Sequence, residues 1–181
     1  VMTAYSSVDG IPSTSNKALL TGLLREQWGF EGFVVSDLAS IEGIKGDHHA
    51  AATFEDAAAL AMNAGVDADL GGNGFDDELL NAFKNGKVSE ARLDEAVKYV
   101  LRLKFKMGLF ENPYVEEKAP KKVVRSAAHI AIAKEMALEG VTLLKNENGL
   151  LPLSKDLKKI AVIGPNADMM YNQLGDYTAP Q

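Results

Sequence analysis

Cysteine is absent from this chain of 181 residues. Its absence excludes disulfides and thiolate metal sites and leaves the redox compartment open. No run approaches the roughly 20 apolar residues that a membrane-spanning helix requires, so no membrane span is expected. Lys and Arg number 19 against 25 Asp and Glu, and the formal net charge is −6. The basic residues are scattered rather than clustered, which disfavours nucleic acid as a partner. Aromatic residues make up only 7% of the chain, with a single tryptophan, so an aromatic beside a candidate site is worth naming. Internal repeats and low-complexity tracts are missing as well. What is present is a hydrophobic fraction of 46%, which predicts a packed chain rather than a disordered one. The length fits one ordinary domain or pieces of two.

Two further features concern the ends. The first residue is valine, and Val1-Met2-Thr3-Ala4-Tyr5 reads as a strand already under way. The last residues, 177–181, follow a strand-loop pattern that has only begun. The expectation is an internal piece of a longer protein, in which an export signal is neither legible nor excluded. Localisation and oligomeric state stay open.

From Val1 to about Gly108 strand and helix patterns alternate. After the strand Val1–Tyr5 comes a polar loop, Ser6–Ser15, with Gly10 and Pro12. Asn16 suits the cap of a helix whose Leu19, Leu20, Leu23 and Leu24 recur at helical spacing, and Gly29 suits its end. Trp28 is expected in the core. A short strand follows at Phe33–Ser36, then a long loop holding His48 and His49. Thr53 caps an alanine-rich helix, Phe54–Asn63, ended by Gly65. Val66–Leu70 is a strand with Asp67 and Asp69 on one face. A helix over Asp76–Asn85 ends at Gly86, and Ser89 opens a longer one that Gly108 stops.

Repeated strand-helix units of about 30 residues predict a parallel sheet with helices outside. Three units cannot close an eight-stranded barrel of about 250 residues. Over residues 109–122 the composition shifts to two prolines and six charges, as in a solvated linker. The division expected is a strand–helix part over 1–108, a linker over 109–125 and a second domain beginning at 126. In that second part a helix is predicted from Ser126 to Leu138. Ile160–Gly164 has the composition of a buried parallel strand opening another α/β domain. The glycine after that strand loosely suggests a dinucleotide site, but Gly164 stands alone and the G-x-G-x-x-G spacing is missing.

The segment Gly32-Phe33-Val34-Val35-Ser36-Asp37 is the most informative. An apolar, β-branched run suits a strand buried on both faces, and it ends in a carboxylate. Strand-end carboxylates on a parallel barrel lie where catalytic groups are found. Asp37 is thus the first candidate for chemistry, beside the plainer role of capping a turn. Asp67 and Asp69 suit structural hydrogen bonds to neighbouring loops better than acid–base work. The adjacent histidines suit a surface loop. Sugar contact is the functional alternative, and a metal site would need further ligands.

These segments resemble the family 3 glycoside hydrolases, in particular the two-domain β-glucosidase and β-xylosidase branch. VMTAYSSVDGIP is similar to that family's sixth barrel strand and loop. GFVVSD is similar to the seventh strand, AGVDADL to the eighth, and VLRLKFKMGLFENPY to the closing barrel helix. VTLLKNENGLLPL and IAVIGPNAD are similar to the opening of its α/β sandwich domain. The resemblance runs through essentially the whole chain, in order. It implies the C-terminal part of a (β/α)8 TIM-like barrel followed by the start of an α/β sandwich domain.

The resemblance also implies an activity: a retaining exo-β-glycosidase working by double displacement without a cofactor. Asp37 would be the nucleophile. Such chemistry needs an ionised carboxylate about 5 Å from a second carboxyl that protonates the leaving oxygen. Their environments must hold the two pKa values apart. The resemblance places that second group, a glutamate, beyond this chain, and the main sugar-gripping residues before Val1. The fragment alone would then be inactive, its partners being the remaining parts of the same enzyme and an oligosaccharide or aryl β-glycoside. Tyr5 matches a tyrosine beside the nucleophile, and Met2 a methionine of the pocket wall. Tyr177 matches an aromatic at the leaving-group site, where a ring face covers sugar C–H patches. His48 is a further candidate for sugar hydroxyls. Two departures stand out. Leu38 follows the nucleophile where many relatives have Trp, and Gln181 stands where some have a second aromatic. Both argue against a two-sided aromatic clamp and leave short or aryl glycosides open. The alternatives are a β-xylosidase of the same family or a scaffold piece without activity of its own.

Overall fold

The computed structural model describes residues 1–175. It divides into two units, Val1–Glu116 and Glu117–Gln181.

The first unit is built on three parallel strand segments. Val35 pairs with Met2 on one side and Ala68 on the other, both in parallel. Its neighbours complete the ladder. Thr3 N–H donates to Val35 O at 2.9 Å, Ser36 N–H to Ala68 O at 2.9 Å, and Asp67 N–H to Val34 O at 2.8 Å. The three predicted strands are therefore found only as single bridge residues, with the Phe33–Ser36 segment in the middle. Its pairing is confined to single bridges, and its burial is one-sided. Val34 and Ser36 are fully buried, whereas Phe33, Val35 and Asp37 are half-buried. Alternate side chains of a strand face opposite ways, and the helices of this unit cover one of those faces. The expectation of burial on both faces is corrected accordingly.

Between the first two strand segments lie a hairpin and a helix. Strands β1 (Ser7–Val8) and β2 (Ile11–Pro12) pair antiparallel, with Val8 opposite Ile11. Asp9 (φ 51°) and Gly10 (φ 79°) form the two-residue turn. Positive φ at both positions is what such hairpins need to match strand twist. A π-wound helix, Ala18–Gln27, follows. Asn16 Oδ1 accepts the Leu19 N–H at 3.0 Å, the capping expected of it. Trp28 N–H donates to Leu23 O, five residues back. The Trp28 side chain is 70% exposed and borders an apolar groove of about 200 Å³ with Leu23, Leu24, Val1 and Met2. Its assignment to the core is wrong, because the helix ends at that residue and turns away at Gly29 (φ 67°).

After the middle strand the chain forms α1 (Ser40–Gly46) and α2 (Phe54–Ala64), so the expected long loop holds a short helix. At α2 Thr53 and Asp56 cap each other's backbone, and Gly65 takes φ 116°. Lys87 then Thr53, by hydrogen bonding, hold the Asp56 carboxyl below its ordinary range. Helices α3 (Asp77–Lys84) and α4 (Glu90–Lys106) complete the unit. Ser89 caps α4 by accepting Arg92 N–H at 3.2 Å. The core sits where α1 and α2 cover the strands: Leu20, Val34, Ile41, Ile44, Ala57, Ala61, Ala64 and Val66. Alanines on α2 let its backbone approach the sheet closely.

The second unit contains α5 (Ala119–Val123) and α6 (Ala127–Glu139), the latter capped by Ser126. A short 3-10 turn follows at Glu147–Gly149. The Ile160–Gly164 segment does not form a strand. Val162 is 73% and Ile163 90% exposed. A buried parallel strand needs neighbours for its N–H and C=O groups and cover for its faces. No such neighbour is present among the described residues of this unit.

Candidate active site

The carboxyl ends of all three strand segments lie at the same end of the sheet, because the segments are parallel. Tyr5, Asp37 and Asp69 therefore share one rim, and the β1–β2 hairpin and α1 depart from it.

Asp37 is half-buried, beside an exposed Leu38. Its Oδ1 accepts the Leu38 N–H at 2.7 Å. Among the described residues no donor engages Oδ2. Its backbone is held from both sides, the N–H by Thr3 Oγ1 at 3.3 Å and the carbonyl by Ser40 N–H at 3.1 Å. One carboxylate oxygen fixed by a backbone dipole and the other open suits a group that must stay oriented and still react. Ala39, two residues on, is forced into the left-handed region at φ 55°, ψ 17°, a strained setting for a residue with a Cβ.

Tyr5 reaches over this turn, and its hydroxyl donates to Leu38 O at 2.7 Å. His48 sits behind Tyr5. Its Nε2 bonds Tyr5 O at 2.8 Å and its Nδ1 bonds Ser7 Oγ at 3.2 Å. A carbonyl only accepts, so Nε2 carries the proton, and in the neutral ring Nδ1 accepts from the serine. His48 thereby ties the loop after α1 to the hairpin. Met2 lies in the apolar groove beside the π helix, with Leu19, Leu23 and Trp28. The structure thus brings Tyr5, His48 and the Asp37 turn together and puts Met2 in a separate wall. Tyr177 lies outside the described residues, as does Gln181.

The other two aspartates are committed to the framework. Asp67, its side chain fully buried, accepts from Arg25, from Arg92 at 2.7 Å and from Val34 N–H at 2.8 Å. Asp69 Oδ1 accepts from Ser36 Oγ at 2.7 Å, and its Oδ2 accepts from Gly74 N–H at 3.1 Å. Both play the structural part expected of them. No group of three or more candidate metal ligands occurs among the described residues.

Three buried hydroxyls beneath Asp37 escaped the sequence reading: Thr3, Thr14 and Ser40. Thr3 Oγ1 lies 2.9 Å from Thr14 Oγ1, which donates to Ser40 Oγ at 3.1 Å. The available signal was a hydroxyl residue inside an apolar strand, Val1-Met2-Thr3-Ala4, where a polar group is costly unless bonded.

Comparison with known proteins gives this geometry a family. Residues 1–103 match the glycosyl hydrolase family 3 N terminal domain, and residues 141–181 match the family's C-terminal domain. The chain belongs to glycosyl hydrolase family 3. Its fold is the C-terminal part of a TIM-like barrel followed by the start of an α/β sandwich domain.

The periplasmic beta-glucosidase of Salmonella typhimurium is 42% identical over 186 residues, covering 99% of this chain and 24% of that protein. The crystal structure of a beta-glucosidase from Listeria innocua superposes with a TM-score of 0.72 at 38% identity, over 86% of this chain and 22% of that one. A family 3 exo-beta-xylosidase, solved with a xylobiose aziridine activity-based probe, gives 0.75 at 32% identity over 99% of this chain and 24% of that one. The chain spans about a quarter of the length of the curated relatives it matches.

Proposed function

We propose that this segment supplies the nucleophile of a retaining exo-β-glycosidase that removes terminal, non-reducing β-D-glucosyl residues. One observation carries the proposal: Asp37 stands at the carboxyl end of the middle strand of a family 3 barrel segment, with one carboxylate oxygen held by Leu38 N–H and the other without a donor among the described residues. In the first step Oδ2 attacks the anomeric carbon as the glycosidic C–O bond breaks, and an acid delivers a proton to the departing oxygen. In the second step water, deprotonated by that same group, displaces the carboxylate. The acid/base glutamate lies outside the 181 residues. Tyr5 and His48, beside the Asp37 turn, are the residues placed to meet the sugar, whereas Met2 faces a separate apolar groove and Tyr177 stays a candidate on sequence alone. The barrel piece spans 1–108, the linker 109–125 and the sandwich piece 126–181.

A β-xylosidase specificity is the second reading, supported by the exo-beta-xylosidase among the similar structures. Nitrophenyl β-glucoside and β-xyloside, assayed on the complete protein, separate the two by their kcat/KM ratio.

The nucleophile is tested directly. Asp37→Ala is expected to lower turnover by about a thousandfold or more, as removal of a covalent catalyst does, while melting barely changes. A 2-fluoro glycoside should add its mass to the peptide carrying Asp37. Wild-type activity in the variant, or labelling of another peptide, refutes the assignment.

A further inference from the structure

Beneath Asp37 three hydroxyls are linked, and the direction of one contact sets that of the next. Each threonine or serine hydroxyl carries one proton and can accept others. Thr14 gives its proton to Ser40. In the 2.9 Å contact between Thr3 and Thr14, Thr3 must therefore be the donor. With its own proton spent on Thr14, Thr3 offers a lone pair upward, and the Asp37 N–H takes it at 3.3 Å. The result is a one-way chain from Asp37 N–H through Thr3 and Thr14 to Ser40. Ser40 Oγ comes back within 3.5 Å of Thr3 Oγ1, so the hydroxyls form a small closed triangle. Aligned chains of this kind polarise one another and hold geometry better than separate bonds. All three residues are at least 94% buried, at 6%, 1% and 4% exposure.

Thr3 does not act alone on that turn. Thr3 and Tyr5 grip the two peptide units that flank the Asp37–Leu38 peptide. Thr3 takes the Asp37 N–H, and Tyr5 donates to the Leu38 carbonyl. Valine would match the shape of Thr3 and avoid the cost of a buried hydroxyl.

We propose that Thr3 is a positioning residue for Asp37, the hydroxyl chain Thr3–Thr14–Ser40 fixing the peptide that aims the carboxylate. The role rests on the nucleophile reading above and adds to it a group that touches no substrate.

The test uses the complete protein, with Thr3→Val, Thr3→Ser and Thr14→Val assayed on an aryl β-glycoside and with a 2-fluoro glycoside inactivator. Thr3→Val keeps the shape and removes the acceptor. It should lower kcat and the inactivation rate by roughly ten- to a hundredfold, the scale of a small misplacement of a reacting group. KM should stay within about twofold. Thr3→Ser keeps the hydroxyl and should return kcat to near the wild-type value, which a packing role would not do. If Thr3→Val does not fold, Thr14→Val breaks the next link, and a several-fold fall in kcat at unchanged KM is expected. Wild-type kcat in the folded Thr3→Val variant, or in Thr14→Val where the former fails to fold, overturns the positioning role. A Thr3→Ser protein as slow as Thr3→Val overturns it too. In each of these cases labelling of Asp37 in the wild type leaves the nucleophile standing. An unlabelled Asp37 in the wild type overturns the nucleophile and the positioning role together.

Discussion

Ala39 holds φ 55° and ψ 17° directly after the Asp37-Leu38 turn and immediately before α1. A residue with a Cβ gives up about 1–2 kcal/mol in that conformation, and glycine relieves it while adding about 0.5–1 kcal/mol of unfolded-state entropy. Ala39→Gly should therefore stabilise the protein by up to about 1 kcal/mol, seen as a higher urea midpoint at unchanged slope. A lower midpoint would mean that the strain is absent. The same residue explains why α1 was read as loop. Its N-terminus carries no capping side chain, and Ser40–Gly46 is too short for a helical period to show. The hairpin before it was legible and went unread. Val8-Asp9-Gly10-Ile11 is an Asp-Gly pair between two β-branched residues, a strong local hairpin signal. Asp37 itself was visible from the strand it ends. The hydroxyls beneath it were not, because Thr3, Thr14 and Ser40 lie on a strand, a 3-10 turn and a helix start that meet only in the folded chain.

Among the elements, one buried carboxylate joins the third strand segment to two helices. Asp67 accepts from Val34 N–H on the middle strand, from Arg25 on the π helix and from Arg92 on α4. Arg25 also donates to Gly32 O at 2.9 Å and lies 3.9 Å from the centre of the Tyr99 ring on α4. Arg92 donates to Met62 O and Val66 O as well. Both guanidinium groups are therefore kept largely out of water, and their charge is answered by Asp67, with the more exposed Glu95 also 3.2 Å from Arg92. Asp67→Asn leaves buried positive charge without its counter-ion, which costs about 3–5 kcal/mol in comparable cases. A loss of that size in denaturant unfolding is expected, and one below about 1 kcal/mol would show that the cluster is solvated. Sequence position could say that Asp67 was structural, since an aspartate amid apolar strand residues suits few other roles. It could not say which cations it meets, because Arg25 and Arg92 lie 42 and 25 residues away. The helices were read best where caps mark them: Thr53 before α2, Ser89 before α4 and Ser126 before α6. Each offers a side-chain oxygen to an N–H three residues on, a signal local enough to survive without tertiary knowledge.

Across the molecule the two units differ in how far local pattern is backed by packing. In the first unit, Ala57, Ala58, Ala61 and Ala64 of α2 and Val66 after it are buried at 2% exposure or less. In the second, the apolar segments stand open. Val141 is 78%, Leu144 91% and Ile163 90% exposed, and the segments over 141–146 and 158–163 carry no regular secondary structure. A hydrophobic run becomes a strand only when partners take its hydrogen bonds and cover its faces. Composition alone therefore overstated Ile160–Gly164. The contrast sets an order of opening. Amide groups protected only by local turns exchange at free energies near zero, whereas core amides approach the global value. In this polypeptide the amides of 57–66 should exchange slowest, and those of 141–144 and 160–163 should reach full deuteration within the earliest time points. Strong protection of Ile160–Gly164 in the isolated chain would show that the segment pairs as a strand here after all.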